Sequence, residues 1–182
     1  MPIRALFLDR DGTINVERNY VHRVQDFQFI PGAIEALQLV SRANIDIIVV
    51  SNQAGIAKGI FSEADLATIN QHMRSELLHH GIGLAAIYCC PHHPEATVAR
   101  YRQICCCRKP SPGLLTTTMR ERGIAAGEAV MIGDRNSDIE AGRASGLETY
   151  LVETGYGITE KRSTKATYIV ADLLAAVGHL LG

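Results

Sequence analysis

Two largely apolar runs, each closed abruptly by polar residues, constrain this chain more than anything else in it. Ile3 to Leu8 stops at Asp9-Arg10-Asp11-Gly12, and Ile45 to Val50 stops at Ser51-Asn52-Gln53-Ala54-Gly55. A strand with one wet face alternates apolar and polar residues. A strand that is apolar throughout is covered on both faces, which calls for a parallel sheet sandwiched by helices. Leu84 to Cys89, Val130 to Ile132 (closed by Gly133-Asp134), Leu147 to Val152 and Tyr168 to Val170 read as further strands of the same kind. Helical segments fill the intervals, so the expected fold is α/β: a Rossmann-like parallel sheet with helices on both faces.

The helix after Phe61 has the clearest limits. Ser62 is a good N-cap, Asp65 sits where it can reach back to the cap, Leu66, Ile69, Met73 and Leu77 form one stripe, and Gly81 follows as a stop. Pro31-Gly32 opens an earlier helix carrying Ile34 and Leu37. Ser111-Pro112-Gly113 reads as a cap with proline in the first turn, leading a helix that ends at Gly123. Ile139 to Ser145 and Leu173 to Leu180 complete the set. Residues 13–30 and a Pro- and His-rich stretch after Cys89 lack any period and read as loops. They decorate what is expected to be a single domain over residues 1–182.

Charge and cysteine usage narrow the function classes. Eighteen Lys plus Arg against nineteen Asp plus Glu leave a formal net charge of −1 over 182 residues, which is no footprint for nucleic acid. No apolar stretch approaches the roughly 20 residues that span a bilayer, and the opening apolar run is short for a secretory signal. A cytoplasmic protein without a membrane partner is the expectation. All five cysteines lie in two knots, Cys89-Cys90 and Cys105-Cys106-Cys107. Disulfides would spread them, whereas clustering suits a local metal site in a reducing compartment.

In open parallel sheets the ligand crevice lies beyond the carboxyl ends of the strands. Asp9 and Asp11 fall there, as do Ser51, Asn52 and Asp134, and Lys109 joins them if the cysteine loop folds back. Two carboxylates about 4 Å apart repel by roughly 4 kcal/mol at an effective dielectric of 20, and a divalent cation relieves that. Few oxygen ligands with open positions suit Mg²⁺, bound by Asp9, Asp11 (through its carboxylate or its main-chain carbonyl) and Asp134. Asp9 is then the expected nucleophile toward phosphorus, and Asp11 an acid that becomes a base. Ser51 and Asn52 can donate hydrogen bonds to phosphoryl oxygens, and Lys109 can neutralise their charge. Gln53, Lys58, Arg108 and Arg135 are further substrate-binding candidates. An acidic turn without chemistry explains one such segment but not several at strand ends.

Cys90, His92, Cys105 and Cys107 offer the thiolate and imidazole set of a structural Zn²⁺, with the decoration spanning about 90–108. His93 competes with His92, and spacing does not choose between them. Cys89 reads as a strand residue and Cys106 as outward-facing. Gly81-x-Gly83-x-x-Ala86 precedes a strand rather than following one, so it is discounted as a dinucleotide fingerprint.

Together these segments resemble the haloacid-dehalogenase-type phosphatases, and within them the D,D-heptose 1,7-bisphosphate 7-phosphatases. The matching text is Asp9-Arg10-Asp11-Gly12-Thr13-Ile14-Asn15, Tyr20-Val21-His22, Ser51-Asn52-Gln53-Ala54-Gly55-Ile56-Ala57-Lys58-Gly59, Cys90-Pro91-His92-His93-Pro94, Cys105-x-Cys107-Arg108-Lys109-Pro110 and Gly133-Asp134-Arg135-x-x-Asp138. The resemblance implies a core without a large cap and a short zinc-binding loop. It implies Asp9 as nucleophile, Asp11 as acid/base, Mg²⁺ on Asp9, the Asp11 main chain and Asp134, and Ser51, Asn52 and Lys109 on the phosphoryl group. It places Arg108 against the distal part of the substrate and selects His92 for zinc. Lys58 stands where arginine is common, which keeps the charge and loses the fork. The expected activity is Mg²⁺-dependent removal of the 7-phosphate from a small phosphorylated sugar, a heptose 1,7-bisphosphate, with a monomer among the states this allows. The alternatives are a histidinol-phosphate phosphatase or other sugar or polyol phosphatase, and a non-catalytic zinc-stabilised binding domain.

Overall fold

A computed structural model describes residues 2–182. Six strands form one sheet: β1 (Ala5–Leu8), β2 (Asp46–Asn52), β3 (Ala86–Cys90), β4 (Ala129–Gly133), β5 (Glu148–Val152) and β6 (Tyr168–Val170). All neighbours pair in parallel, in the order β3-β2-β1-β4-β5-β6. The sheet grows outward from β1 in one direction and then, after β3, restarts on the other side with β4. That reversal opens a crevice between the β1 and β4 carboxyl ends. Leu8 lies level with Ile132 in the register, so Asp9 and Asp134 emerge side by side.

The uniform apolarity of the strands has the cause expected of it. Leu6, Leu8, Ile47, Val49, Val130 and Ile132 face one layer, against α1 (Ala33–Arg42), α7 (Leu173–Leu181) and the end of α3 (Glu63–His79). The alternate residues Ala5, Phe7, Ile48, Val50 and Met131 face α4 (Gly113–Arg122) and α5 (Asn136–Ala144). A third, smaller cluster of Val21, Ile56, Phe61, Leu66, Ile69, Ala96 and Tyr101 packs both long loops against α3 and the short α2 (Ala54–Ala57). The loop beyond β3 therefore shares a core with its neighbours.

Local departures from the sequence expectation have local causes. α5 begins at Asn136, three residues before Ile139, because Asp138 turns back to accept the Arg135 N–H at 3.0 Å. Helix α4 starts at Gly113 with Pro112 itself as the cap, without a side-chain bond from Ser111. The one-turn helices α2 and α6 (Gly157–Glu160) are too short to display a period. The Ser62/Asp65 capping box forms as expected, with Gly81 just past the end of α3. Among the described residues, no helix is long and apolar enough to cross a membrane.

Candidate active site

The Asp9 N–H continues the β1/β4 ladder by donating to the Ile132 carbonyl at 3.0 Å, which holds this residue at the strand mouth. Lys109 reaches it from the far end of the cysteine loop. The Lys109 ammonium donates to Asp9 Oδ1 at 2.8 Å, to Asp138 Oδ1 at 2.7 Å and to the Val50 carbonyl at 2.6 Å, and its side chain is almost entirely buried. The Asn52 side chain fixes the backbone of that lysine from both sides: Nδ2 donates to the Lys109 carbonyl at 2.8 Å and Oδ1 accepts the Lys109 N–H at 3.0 Å. Asn52, expected to contact substrate, thus spends most of its amide on positioning Lys109 and keeps one Nδ2 hydrogen for other use.

Asp134 is fully buried beneath the crevice floor. Gly12 and Gly155, both with positive φ, pack so closely on its carboxylate that a Cβ at either would collide with it. The Tyr156 N–H donates to Asp134 Oδ2 at 2.8 Å, while Oδ1 is buried with no hydrogen-bond partner. A buried orphan oxygen facing two other carboxylates fits a cation ligand. One oxygen each from Asp9, Asp134 and Asp138 lies within 4.8 Å of the others.

This group differs from the expected Asp9, Asp11 and Asp134 set in one member. The Asp11 carboxylate turns aside and accepts four hydrogen bonds, from Arg10 Nε (3.1 Å) and Asn15 Nδ2 (2.9 Å) on Oδ1, and from Arg10 Nη2 (2.8 Å) and Gln53 Nε2 (3.2 Å) on Oδ2. Gln53, another substrate candidate, is buried and also donates to Ser51 Oγ at 2.9 Å. The serine hydroxyl keeps its own proton to donate.

Like charges and burial act strongly on these groups. Burial, above all, pushes the Asp9 carboxyl up to about 6, with the Lys109 charge pulling it down and Asp138 adding to the rise. Burial, followed by the Asp9 and Asp138 charges, pushes Asp134 up to about 9. For Lys109 burial opposes the charge, but Asp138 and Asp9 outweigh it and raise the ammonium above its ordinary value.

Above the floor opens a cavity of about 810 Å³. Asp9, Asp11, Ser51, Asn52, Gln53 and Lys109 line its base, and Lys58, Arg108 and Arg135 all line it too. Lys58 Nζ donates to the Tyr20 hydroxyl at 2.7 Å, and the Arg135 guanidinium lies 3.6 Å from the centre of the Tyr156 ring. Three features of this site escape sequence reasoning. Asp138 stands in the Gly133-Asp134-Arg135-x-x-Asp138 segment but shows its contact with Lys109 only once α5 is built on β4. Tyr156 acts through a main-chain N–H, which no side-chain pattern reports. Arg10 sits between two acidic residues and is completely buried.

The cysteine loop gathers a second cluster. Cys107 Sγ lies 3.1 Å from both Cys90 Sγ and Cys105 Sγ and 3.4 Å from His92 Nδ1, and Cys90 Sγ is 3.5 Å from Cys105 Sγ. Four N/S ligand atoms this close suit a tetrahedral ion, whose S···S edges at a Zn–S length of 2.3 Å are about 3.8 Å. His93 stays outside, accepting the Glu95 N–H at 3.1 Å and lining the cavity. Cys89 lies in β3 and Cys106 is exposed.

An aspartate at the first strand end, paired with a lysine and faced by carboxylates from the segment that follows the neighbouring strand of a Rossmann-ordered sheet, places the chain among the haloacid-dehalogenase-like hydrolases, and the HAD-hydrolase-like family matches residues 106–176. A D-glycero-beta-D-manno-heptose-1,7-bisphosphate 7-phosphatase from Photorhabdus laumondii is 42% identical over 96% of this chain and 95% of its own length. The protein of that name from Escherichia coli K12 is 40% identical over 96% and 94%. A crystal structure of the D,D-heptose 1,7-bisphosphate phosphatase from B. bronchiseptica, complexed with magnesium and phosphate, superposes with a TM-score of 0.89 at 29% identity over 98% of each chain. The chain belongs to the D-glycero-D-manno-heptose 1,7-bisphosphate 7-phosphatase family.

Proposed function

We propose that this protein is a Mg²⁺-dependent phosphatase that removes the 7-phosphate of D-glycero-D-manno-heptose 1,7-bisphosphate, with residues 1–182 acting as one catalytic domain. The observation that carries this is the Lys109-paired Asp9 at the base of an open cavity, with Asp134 and Asp138 beside it. The Lys109 bond occupies Asp9 Oδ1 and leaves Oδ2 to attack phosphorus. As that P–O bond forms, the bond from phosphorus to the sugar oxygen breaks, and Asp11 delivers the proton that oxygen needs. Asp11, now a carboxylate, takes a proton from water. The water oxygen attacks phosphorus, the bond to Asp9 breaks, and inorganic phosphate leaves. Lys109 and the Ser51 hydroxyl offset the charge on the phosphoryl oxygens throughout. Asp9, Asp134 and the Asp11 main-chain carbonyl would hold Mg²⁺, which when bound neutralises carboxylate and phosphoryl charge. Lys58, Arg108 and Arg135 at the cavity wall supply the charge that a second phosphate requires.

The substrate class is tested by kcat/KM on a panel of phosphorylated metabolites. The heptose 1,7-bisphosphates are expected to exceed histidinol phosphate by about a hundredfold or more, the scale of discrimination that built polar contacts supply. A reversed order overturns the sugar assignment, and no phosphate release from any ester in Mg²⁺ overturns catalysis altogether.

The metal site has a pH signature. A carboxyl raised in the folded state holds its proton longer than in the unfolded chain, so stability falls as pH rises between the two values. For Asp9 and Asp134 that window runs from about 4, the ordinary carboxyl range, up to about 9. In chelator-treated protein the melting temperature therefore carries a component that declines through this window. Added Mg²⁺ raises it more at pH 8 than at pH 5, because at pH 5 it must displace protons. Equal Mg²⁺ stabilisation at both values would count against the Asp9/Asp134 site.

Cys90, His92, Cys105 and Cys107 would hold a structural Zn²⁺. Arg108 follows the last thiolate and donates to the His92 carbonyl at 3.2 Å, so order in the cluster passes directly to Arg108 and Lys109. Cys107→Ala is expected to lose zinc in elemental analysis, to melt earlier and to lose activity together. A zinc-free variant with full activity overturns this coupling.

A further inference from the structure

Arg10 is the largest fully buried side chain in the protein and does not line the cavity. Nothing in the chemistry above uses it. Its guanidinium nevertheless has three partners drawn from three parts of the fold. Nε and Nη2 grip both oxygens of Asp11 (3.1 and 2.8 Å), Nη2 also donates to the Val21 carbonyl at 2.8 Å, and Nη1 donates to Asn70 Oδ1 on α3 at 3.1 Å. Val21 is buried in the small loop cluster, and just before it Asn19 and Tyr20 hold positive φ values of 54° and 66° at the cavity wall. Two consecutive non-glycine residues in that region are strained and persist only when their surroundings over-determine them. The Val21 carbonyl is tied to Arg10, the Tyr20 carbonyl accepts from His22 Nδ1 at 2.6 Å, and the Tyr20 hydroxyl accepts from Lys58.

We propose that Arg10 is a positioning residue that ties the Asp11 carboxylate to the cavity-wall loop at Val21 and to α3 at Asn70, so that the proton-transfer group and the substrate-facing loop are held as one unit. The proposal rests on the acid/base role given to Asp11 above. A fork with two parallel N–H···O bonds sets both the distance and the plane of its carboxylate, and Asn15 and Gln53 complete the seat. A lysine at position 10 keeps the charge and loses this geometry.

The test exploits the leaving group. A sugar oxygen needs the proton from Asp11 when its bond to phosphorus breaks, whereas p-nitrophenolate leaves without one. Arg10→Lys is expected to lower kcat on heptose 1,7-bisphosphate tenfold or more (about the effect of misplacing a proton donor) with KM little changed. The single-turnover burst of p-nitrophenolate from p-nitrophenyl phosphate should change by less than about threefold, since that step needs no proton donor. In an Asp11→Ala background Arg10→Lys should add no further loss on the sugar substrate, because residues acting as a unit are not additive. Asn70→Ala, at the rim of the network, should give a smaller loss with the same selectivity, and it stands in if Arg10→Lys does not fold. Equal losses on both substrates, or additive losses in the double variant, would overturn the proposal and leave the role of Asp11 intact. An Asp11→Ala protein that loses the aryl burst as severely as the sugar reaction would overturn the role of Asp11 itself.

Discussion

Replacing Asp9 with asparagine is expected to abolish turnover, with kcat falling by about 10⁴-fold or more, the scale seen when a nucleophile is removed and binding is left in place. The amide is isosteric with the carboxylate, still accepts from Lys109, and removes one of three mutually repelling acids from a crowded floor. Folding should therefore be unharmed, and thermal stability without Mg²⁺ equal to or above that of the parent, since burial, with the Asp138 charge adding to it, holds Asp9 up to about 6 despite the pull of Lys109. Acid-quenched protein incubated with ³²P-labelled substrate should retain label in the parent and none in the variant. An active Asp9→Asn protein, shown by mass spectrometry not to have deamidated, would exclude Asp9 as the attacking group.

Lys109→Met is expected to produce the second large effect, this time on both stability and activity. The side chain is replaced by one of similar length, so packing is largely conserved, while the charge and the hydrogen bonds to Asp9, Asp138 and the Val50 carbonyl are lost. Asp9 and Asp138 then remain in a buried site without their counter-ion, and breaking a buried pair on one side costs about 3–5 kcal/mol. The sign with pH follows from the raised lysine. A cation whose folded value lies above its unfolded one contributes fully below the unfolded value and loses that contribution only as pH rises through the folded one. Lys109 therefore supports the fold across the whole neutral range. Urea titration of the variant at pH 7 should show the loss, and at pH 5, where more of the carboxyl population is protonated, the loss should be smaller. A variant as stable as the parent at pH 7 would mean that Asp9 and Asp138 do not rely on this lysine.

Much of the architecture is legible because it obeys local rules. Strands that are apolar on both faces announce a covered parallel sheet, and the Ser62/Asp65 cap and Gly81 stop bracket α3 with contacts confined to a few residues. Strand order is a different matter. Nothing in the text of β3 or β4 says that the chain returns to the middle of the sheet between them, yet that return sets Asp134 beside Asp9. Residue types suited to chemistry stood out, including Lys109 and the Cys90, His92, Cys105 and Cys107 cluster, since each is conspicuous for its class and spacing. The supporting partners did not. Asn52 reads as a phosphate donor because its amide can serve one, and its two hydrogen bonds to the Lys109 main chain depend on a loop 57 residues away folding back. Arg10, between two aspartates, has the text of a solvated turn and the burial of a core residue, because two of its three partners, Val21 and Asn70, come from segments the sequence keeps apart.

The distance in sequence between the paired groups bears on how this protein matures. Asp9 and Lys109 are 100 residues apart, and Asp9 meets Asp134 only after the central strands β1 and β4 have found each other. Contacts so remote along the chain are among the last that a folding polypeptide wins, because loop closure must be met first. Recovery of turnover during refolding should accordingly lag the return of helical signal, which makes catalysis a built-in clock for the closing event of assembly. A truncated or half-synthesised chain has no working fraction of the enzyme to offer.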